Sequence, residues 1–199
     1  MLSTTISGHT FIKEVIESWG DYNIIVMENT LPKEIYKYRL DVDNLKVIVI
    51  RDFRNFLASS IKSKVNAYEM SSNFVWSEEY LVPHITAYRA IIEEAIYKEY
   101  YDADVVISYD IFCEDQTYRK GICDLLGGTY TEERLGFVPK EGNGSSFDQL
   151  SMQGEGQKMK TRDRHEQILE TEWAEVYLKL LNENEDLMFK YVTFFEELR

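Results

Sequence analysis

The chain has 199 residues, of which 44% are hydrophobic and 14% aromatic. That composition suits one globular domain with a sizeable core and excludes a disordered chain. No apolar run approaches the roughly 20 residues needed to cross a bilayer, and a net charge of −13 at pH 7 argues against general nucleic-acid binding.

Met1 to Ile6 predicts a short strand, and Ser7-Gly8-His9-Thr10 a turn. In the segment that follows, Phe11, Ile12, Val15, Ile16 and Trp19 share one helical face. Strand, short glycine turn and helix is the arrangement in which backbone N–H groups and a helix N-terminus hold phosphate. The nucleotide-triphosphate pattern G-x-x-x-x-G-K-[ST] is absent, and a plain turn is the alternative. Tyr22 to Met27 reads as a second buried strand, closed by Glu28-Asn29-Thr30-Leu31-Pro32. Lys33 to Leu40 predicts a short helix, and Asp41 to Asn44 a turn.

The run Val47 to Ile50 has no polar alternation, so it predicts a strand buried on both faces, as in a parallel α/β sheet. It stops at Arg51, which then sits at the carboxyl end of a central strand, where open α/β sheets bind ligands. A guanidinium offers a planar fork of donors suited to phosphate. Ser59 lies two helical turns further on and adds a hydroxyl to the same place. The alternative is a surface arginine paired with Asp52. Strand, helix, strand, helix, strand in this order implies a parallel sheet with residues 7–10, 28–30 and Arg51 at one edge. Residues 1–66 carry 9 Lys/Arg against 8 Asp/Glu, whereas 67–199 carry 13 against 27. The near-neutral first third is therefore where an anionic ligand fits best.

Residues 60–80 read as an irregular helix and loop. Pro83 to Tyr101 predicts a long helix with Ile85, Tyr88, Ile91, Ile92, Ala95 and Ile96 as its apolar positions and His84 on the surface. Val105-Val106-Ile107 predicts a further buried strand ending at Ser108-Tyr109-Asp110. Tyr118 to Leu126 predicts a helix stopped by Gly127-Gly128. From Pro139 to Arg164 the apolar period disappears among glycines, serines, lysines and arginines, which predicts a long loop, either a lid over an anion site or a connector. His165 to Arg199 predicts two helices broken near Asn182-Glu183-Asn184, with Trp173, Tyr177, Leu180 and Leu181 as a packing face. Cys113 and Cys123 lack metal-type spacing and read as free, buried thiols. With no secretion signal at the N-terminus, they fit a cytoplasmic protein.

The ordered set of elements resembles the sulfotransferases that use 3′-phosphoadenosine 5′-phosphosulfate (PAPS). Ile6 to Ile12 is similar to the family's 5′-phosphosulfate loop, and Lys46 to Ser60 to its 3′-phosphate motif, a strand ending in Arg with Ser eight residues later. Val105 to Phe112 with Leu125-Leu126-Gly127 is similar to a later strand and "F-L-G" segment, and Lys140 to Phe147 to the late glycine-rich loop. The resemblance spans roughly residues 3–150. It implies a single three-layer α/β/α domain with a central parallel sheet, of the P-loop nucleotide-hydrolase-like kind. It implies sulfuryl transfer from PAPS to a hydroxyl or amine of a small-molecule or carbohydrate acceptor, without a metal. The nucleotide would be held by Ser7, Gly8, Thr10, Arg51, Ser59, Lys140, Gly142, Gly144 and Ser145. Glu28 resembles the glutamate base of carbohydrate-acting branches, and His9, in the phosphate turn, is the second candidate. Two departures stand out. Ile6 occupies the place of the loop's usual lysine or arginine, and Thr30 that of the histidine base of the cytosolic branch. A protein that binds adenosine 3′,5′-bisphosphate without catalysis is therefore the alternative. The missing loop lysine and magnesium-site pattern speak against a kinase or nucleotide hydrolase.

Overall fold

The computed structural model describes residues 46–69, 76–100, 103–133, 160 and 162–197. The expected strands and helices within residues 1–45, and residues 139–159 of the expected loop, lie outside the described residues.

Two β-branched runs form parallel strands, β1 (Val47–Ile50) and β2 (Val105–Ser108), in the register Val47 with Val105 through Ile50 with Ser108. A parallel pair needs a long crossover. Here it includes α1 (Phe53–Glu69), a 3-10 turn (Glu78–Leu81) and α2 (Val82–Tyr97). After β2 come α3 (Tyr109–Glu114) and α4 (Gln116–Leu125). Next is α5 (Arg164–Gln167), which runs into a 3-10 turn (Ile168–Glu170). The C-terminal pair is α6 (Ala174–Glu183) and α7 (Glu185–Glu197). The described part is thus an α/β arrangement, rich in helix, around a two-stranded parallel sheet. None of its helices is long and apolar enough to cross a membrane.

Three helices, α1, α3 and α4, start on a side chain that accepts their first free N–H groups, whereas α2 has no side-chain cap. Asp52 accepts from Arg54 N–H at 2.9 Å and Asn55 N–H at 3.3 Å. Ser108 Oγ accepts from Ile111 N–H at 3.2 Å, and Asp115 accepts from the N–H groups of Thr117 and Tyr118. The core then follows helical period. Phe53, Leu57, Ile61 and Val65 form one stripe of α1, and Ile85, Tyr88, Ile92 and Ala95 one stripe of α2. They meet Ile48 and Ile50 from the sheet, and Ile168, Tyr177, Leu180, Leu187, Tyr191 and Phe195 from the C-terminal helices.

Several expectations are corrected here. β1 is not buried on both faces: Ile48 and Ile50 are covered, while Val49 is 58% exposed. An unbroken apolar run of four residues does not separate the two cases. Residues 60–69 are regular helix, because Ile61 and Val65 carry the stripe on past the polar residues between them. The long helix ends at Tyr97, not Tyr101, where Lys98 adopts a left-handed conformation with φ 51°. Tyr109 and Asp110 belong to α3, not to the strand end. The next helix begins two residues earlier than expected, because Asp115 caps it. Arg164 is not loop but the buried first residue of α5. His84 is half-buried, and burial and nearby Lys64 both lower its pKa. The cysteines are free as expected, yet Cys113 is exposed. The C-terminal helices break at Asn184, inside the expected segment, and Tyr177 and Leu180 are buried on the expected face.

Candidate anion site at the strand ends

Arg51 follows β1 directly, and the helix capped by Asp52 carries Ser59 back above it. The two side chains meet: Arg51 Nη1 donates to Ser59 Oγ at 3.1 Å. A third residue joins from α5, where Arg164 Nη1 donates to the same Oγ at 2.8 Å. Two guanidinium groups thus converge on one hydroxyl. An anion placed against that hydroxyl would meet both positive charges.

The surroundings fix Arg51 from several sides. Tyr88 donates its hydroxyl to the Arg51 carbonyl at 2.7 Å, and the guanidinium lies 5.3 Å from the centroid of the Tyr109 ring. Burial lowers the Arg51 pKa, opposed first by Tyr109 and then by Asp110. An arginine so placed stays charged. The alternative pairing of Arg51 with Asp52 does not form. Asp52 gives its carboxylate to Arg54, whose Nε and Nη2 donate at 3.0 and 2.9 Å.

Beside this cluster the two strand ends are tied together. Asp110 Oδ2 accepts the Asp52 N–H at 2.6 Å, and Tyr191, from α7, donates to the same oxygen at 2.8 Å. Tyr191 also shares a hydrogen bond of 2.8 Å with Ser108 Oγ. Burial first, then the Asp110 charge, pushes the Tyr191 pKa far above its ordinary value, so the phenol remains a donor. A cleft of about 410 Å³ opens here, lined among others by Asp52, Arg54, Asn55, Asp110, His165 and Tyr191. Glu114 and Arg162 pair at its rim. Arg51, Ser59 and Arg164 do not line it; they stand beside it, joined to it through Asn55 and His165. The described residues contain no group of side chains fit to hold a metal ion.

Of the residues singled out in the sequence, Arg51 and Ser59 are brought together. Ser7, Gly8, His9, Thr10, Glu28, Lys140, Gly142, Gly144 and Ser145 lie outside the described residues. Asn55, His165 and Tyr191 were not foreseen, and Arg164 was read only as the end of a loop, either a lid over an anion site or a connector. Arg164 closes the basic stretch Lys158 to Arg164, which is a signal of sorts. No spacing rule, however, links it to a serine 105 residues earlier. Comparison of the chain with family models, curated proteins and solved structures gives no match.

Proposed function

We propose that the chain is a PAPS-dependent sulfotransferase acting on a hydroxyl or amine of a small-molecule or carbohydrate acceptor. The observation that carries this reading is the Arg51–Ser59 contact at the end of a parallel strand, joined by Arg164. In this reading the three side chains hold the 3′-phosphate of the nucleotide, and the described strands belong to a larger three-layer parallel-sheet domain of P-loop-like type. Ser7, Gly8 and Thr10 would hold the 5′-phosphosulfate, and Lys140, Gly142, Gly144 and Ser145 would close over the nucleotide. Sulfuryl transfer is an in-line displacement, so the protein mainly positions two partners and stabilises spreading negative charge. The acceptor's oxygen or nitrogen bonds to sulfur as the bond from sulfur to the phosphate oxygen breaks. The acceptor's proton passes to a base, assigned to Glu28 with His9 as second candidate, and adenosine 3′,5′-bisphosphate leaves. A base of this kind must stand within hydrogen-bond reach of the acceptor.

Calorimetry with adenosine 3′,5′-bisphosphate tests the grip. Arg51→Ala is expected to weaken binding roughly 10- to 100-fold, the range for a lost charge-assisted hydrogen bond. Unchanged affinity would remove the phosphate assignment. Incubation with radiolabelled PAPS and a panel of acceptors, beside Glu28→Gln, tests the chemistry; product formed equally by both proteins would exclude Glu28 as base. A second reading, nucleotide binding without turnover, is favoured by Ile6 and Thr30 standing where the resembled family carries a cation and a histidine. Affinity lost in Arg51→Ala, with no labelled product from any acceptor, is its signature.

A further inference from the structure

Arg164 reaches Ser59 from a four-residue helix, and something must set that helix at the right height. Asn55 and Ser59 stand four residues apart on α1 and so project from one face, a turn apart. Opposite them, Arg164 and His165 are consecutive. Ser59 receives the guanidinium, while Asn55 receives the peptide that joins the two residues: its Oδ1 accepts the His165 backbone N–H at 3.2 Å. The same Oδ1 lies 3.2 Å from Nδ1 of the His165 ring, and the Arg162 carbonyl lies 3.0 Å from that nitrogen.

These contacts fix the chemistry of both side chains. A backbone N–H can only donate, so the Asn55 atom that faces it is the carbonyl oxygen and not the amide nitrogen. Nδ1 of His165 therefore faces two oxygens that can only accept, and it must carry the proton. In the neutral ring the lone pair is then on Nε2. Asn55 is 3% exposed, while His165 is half-buried at the edge of the cleft.

We infer that Asn55 is a positioning residue for the anion site: by holding the Arg164–His165 peptide and the Nδ1–H of His165, it sets the Arg164 guanidinium against Ser59. The inference rests on the phosphate reading above for the identity of the ligand. Asn55 touches no anion itself. Its removal loosens Arg164 and leaves Arg51 in place.

The experiment uses the full chain as wild type, Asn55→Ala, Arg164→Gln and the double variant. It combines calorimetry with adenosine 3′,5′-bisphosphate, nitrogen NMR of the His165 ring and hydrogen exchange at residues 164–168. The expected result is affinity about tenfold weaker in Asn55→Ala. In the double variant the Asn55 change should cost almost nothing beyond Arg164→Gln, because both act through one contact. The His165 ring should be the Nδ1–H tautomer in wild type, and its Nδ1 resonance should shift in Asn55→Ala, where the Arg162 carbonyl alone accepts that proton. Wild-type affinity in Asn55→Ala, or two losses that add in full, would overturn the inference. If the wild type binds no bisphosphate, the phosphate reading fails separately. Exchange and the Nδ1 resonance then decide: faster exchange at residues 164–168 in Asn55→Ala upholds the positioning role, and an unchanged rate with an unchanged resonance ends it. Should Asn55→Ala not fold, Asn55→Asp keeps an acceptor oxygen and must keep the Nδ1–H form; loss of that form overturns the proposal.

Discussion

Arg51 and Ser59 were legible as a pair because everything that joins them is local. A strand stop, a capping aspartate and two helical turns bring a residue back over another eight positions earlier. Arg164, Asn55 and Tyr191 were not legible, since their roles depend on segments that meet only in the folded chain. Tyr177 shows another effect of burial at this scale. Its ring is 2% exposed, and burial, then the Asp52 charge, pushes its pKa up to about 12. A phenol with a raised pKa holds its proton in the folded state after the unfolded chain, near pH 10, has released it. Its stabilising contribution is therefore complete below about pH 10 and is lost as pH rises from there through 12. Denaturant midpoints for wild type should fall between pH 9 and 12, and Tyr177→Phe should flatten that fall, whatever its effect at neutral pH. Parallel curves for the two proteins would show that the Tyr177 hydroxyl does not govern the alkaline limit.

At the scale of elements, apolar period was the reliable guide and polar composition the misleading one. The polar residues after Ser60 suggested an irregular helix and loop, yet Ile61 and Val65 continue the stripe of Phe53 and Leu57, and a regular helix follows the stripe to Glu69. Apolar content alone did not say how many faces of β1 are covered, and Val49 shows that at least one position is not. The ends of α2 and α4 shifted, and the unexpected α3 formed, because single residues, Lys98, Asp115 and Ser108, decide where hydrogen bonding starts or stops. Leu57 is fully buried in the first half of α1, in the core shared by the sheet and the C-terminal helices. Leu57→Ala should cost about 2 to 5 kcal/mol of stability, the range for a truncated core leucine. Chemical denaturation measures it, and a loss below 1 kcal/mol, roughly the value for exposed sites, would mean that this core repacks freely.

At the scale of the molecule, a strongly acidic chain places two buried or half-buried arginines at one strand edge. The distant carboxylates repel an incoming anion, while the nearby guanidinium groups attract it. Salt screens exposed charges more than a partly buried contact. Raising sodium chloride from about 0.05 to 0.5 M should therefore weaken bisphosphate binding by only a few-fold if the Arg51–Arg164 contact dominates. A loss nearer a hundredfold would assign the affinity to exposed lysines and arginines instead. The α/β character of the domain was legible from the two apolar runs and the helical pattern between them. The Arg51–Ser59–Arg164 junction was legible only in its first two members.

Ser59 and Arg164 also belong to different moments in the life of the chain. During synthesis, at about 5 to 20 residues per second, Arg164 emerges roughly 5 to 20 s after Ser59, which lies 105 positions earlier. Tyr191 arrives later still. β1, α1 and Ser59 emerge well before the second arginine, so the site is completed by a much later segment than the one that begins it. A nascent protein stalled before residue 164 carries Arg51 and Ser59 without Arg164, so tight ligand binding reports that the later segment has docked.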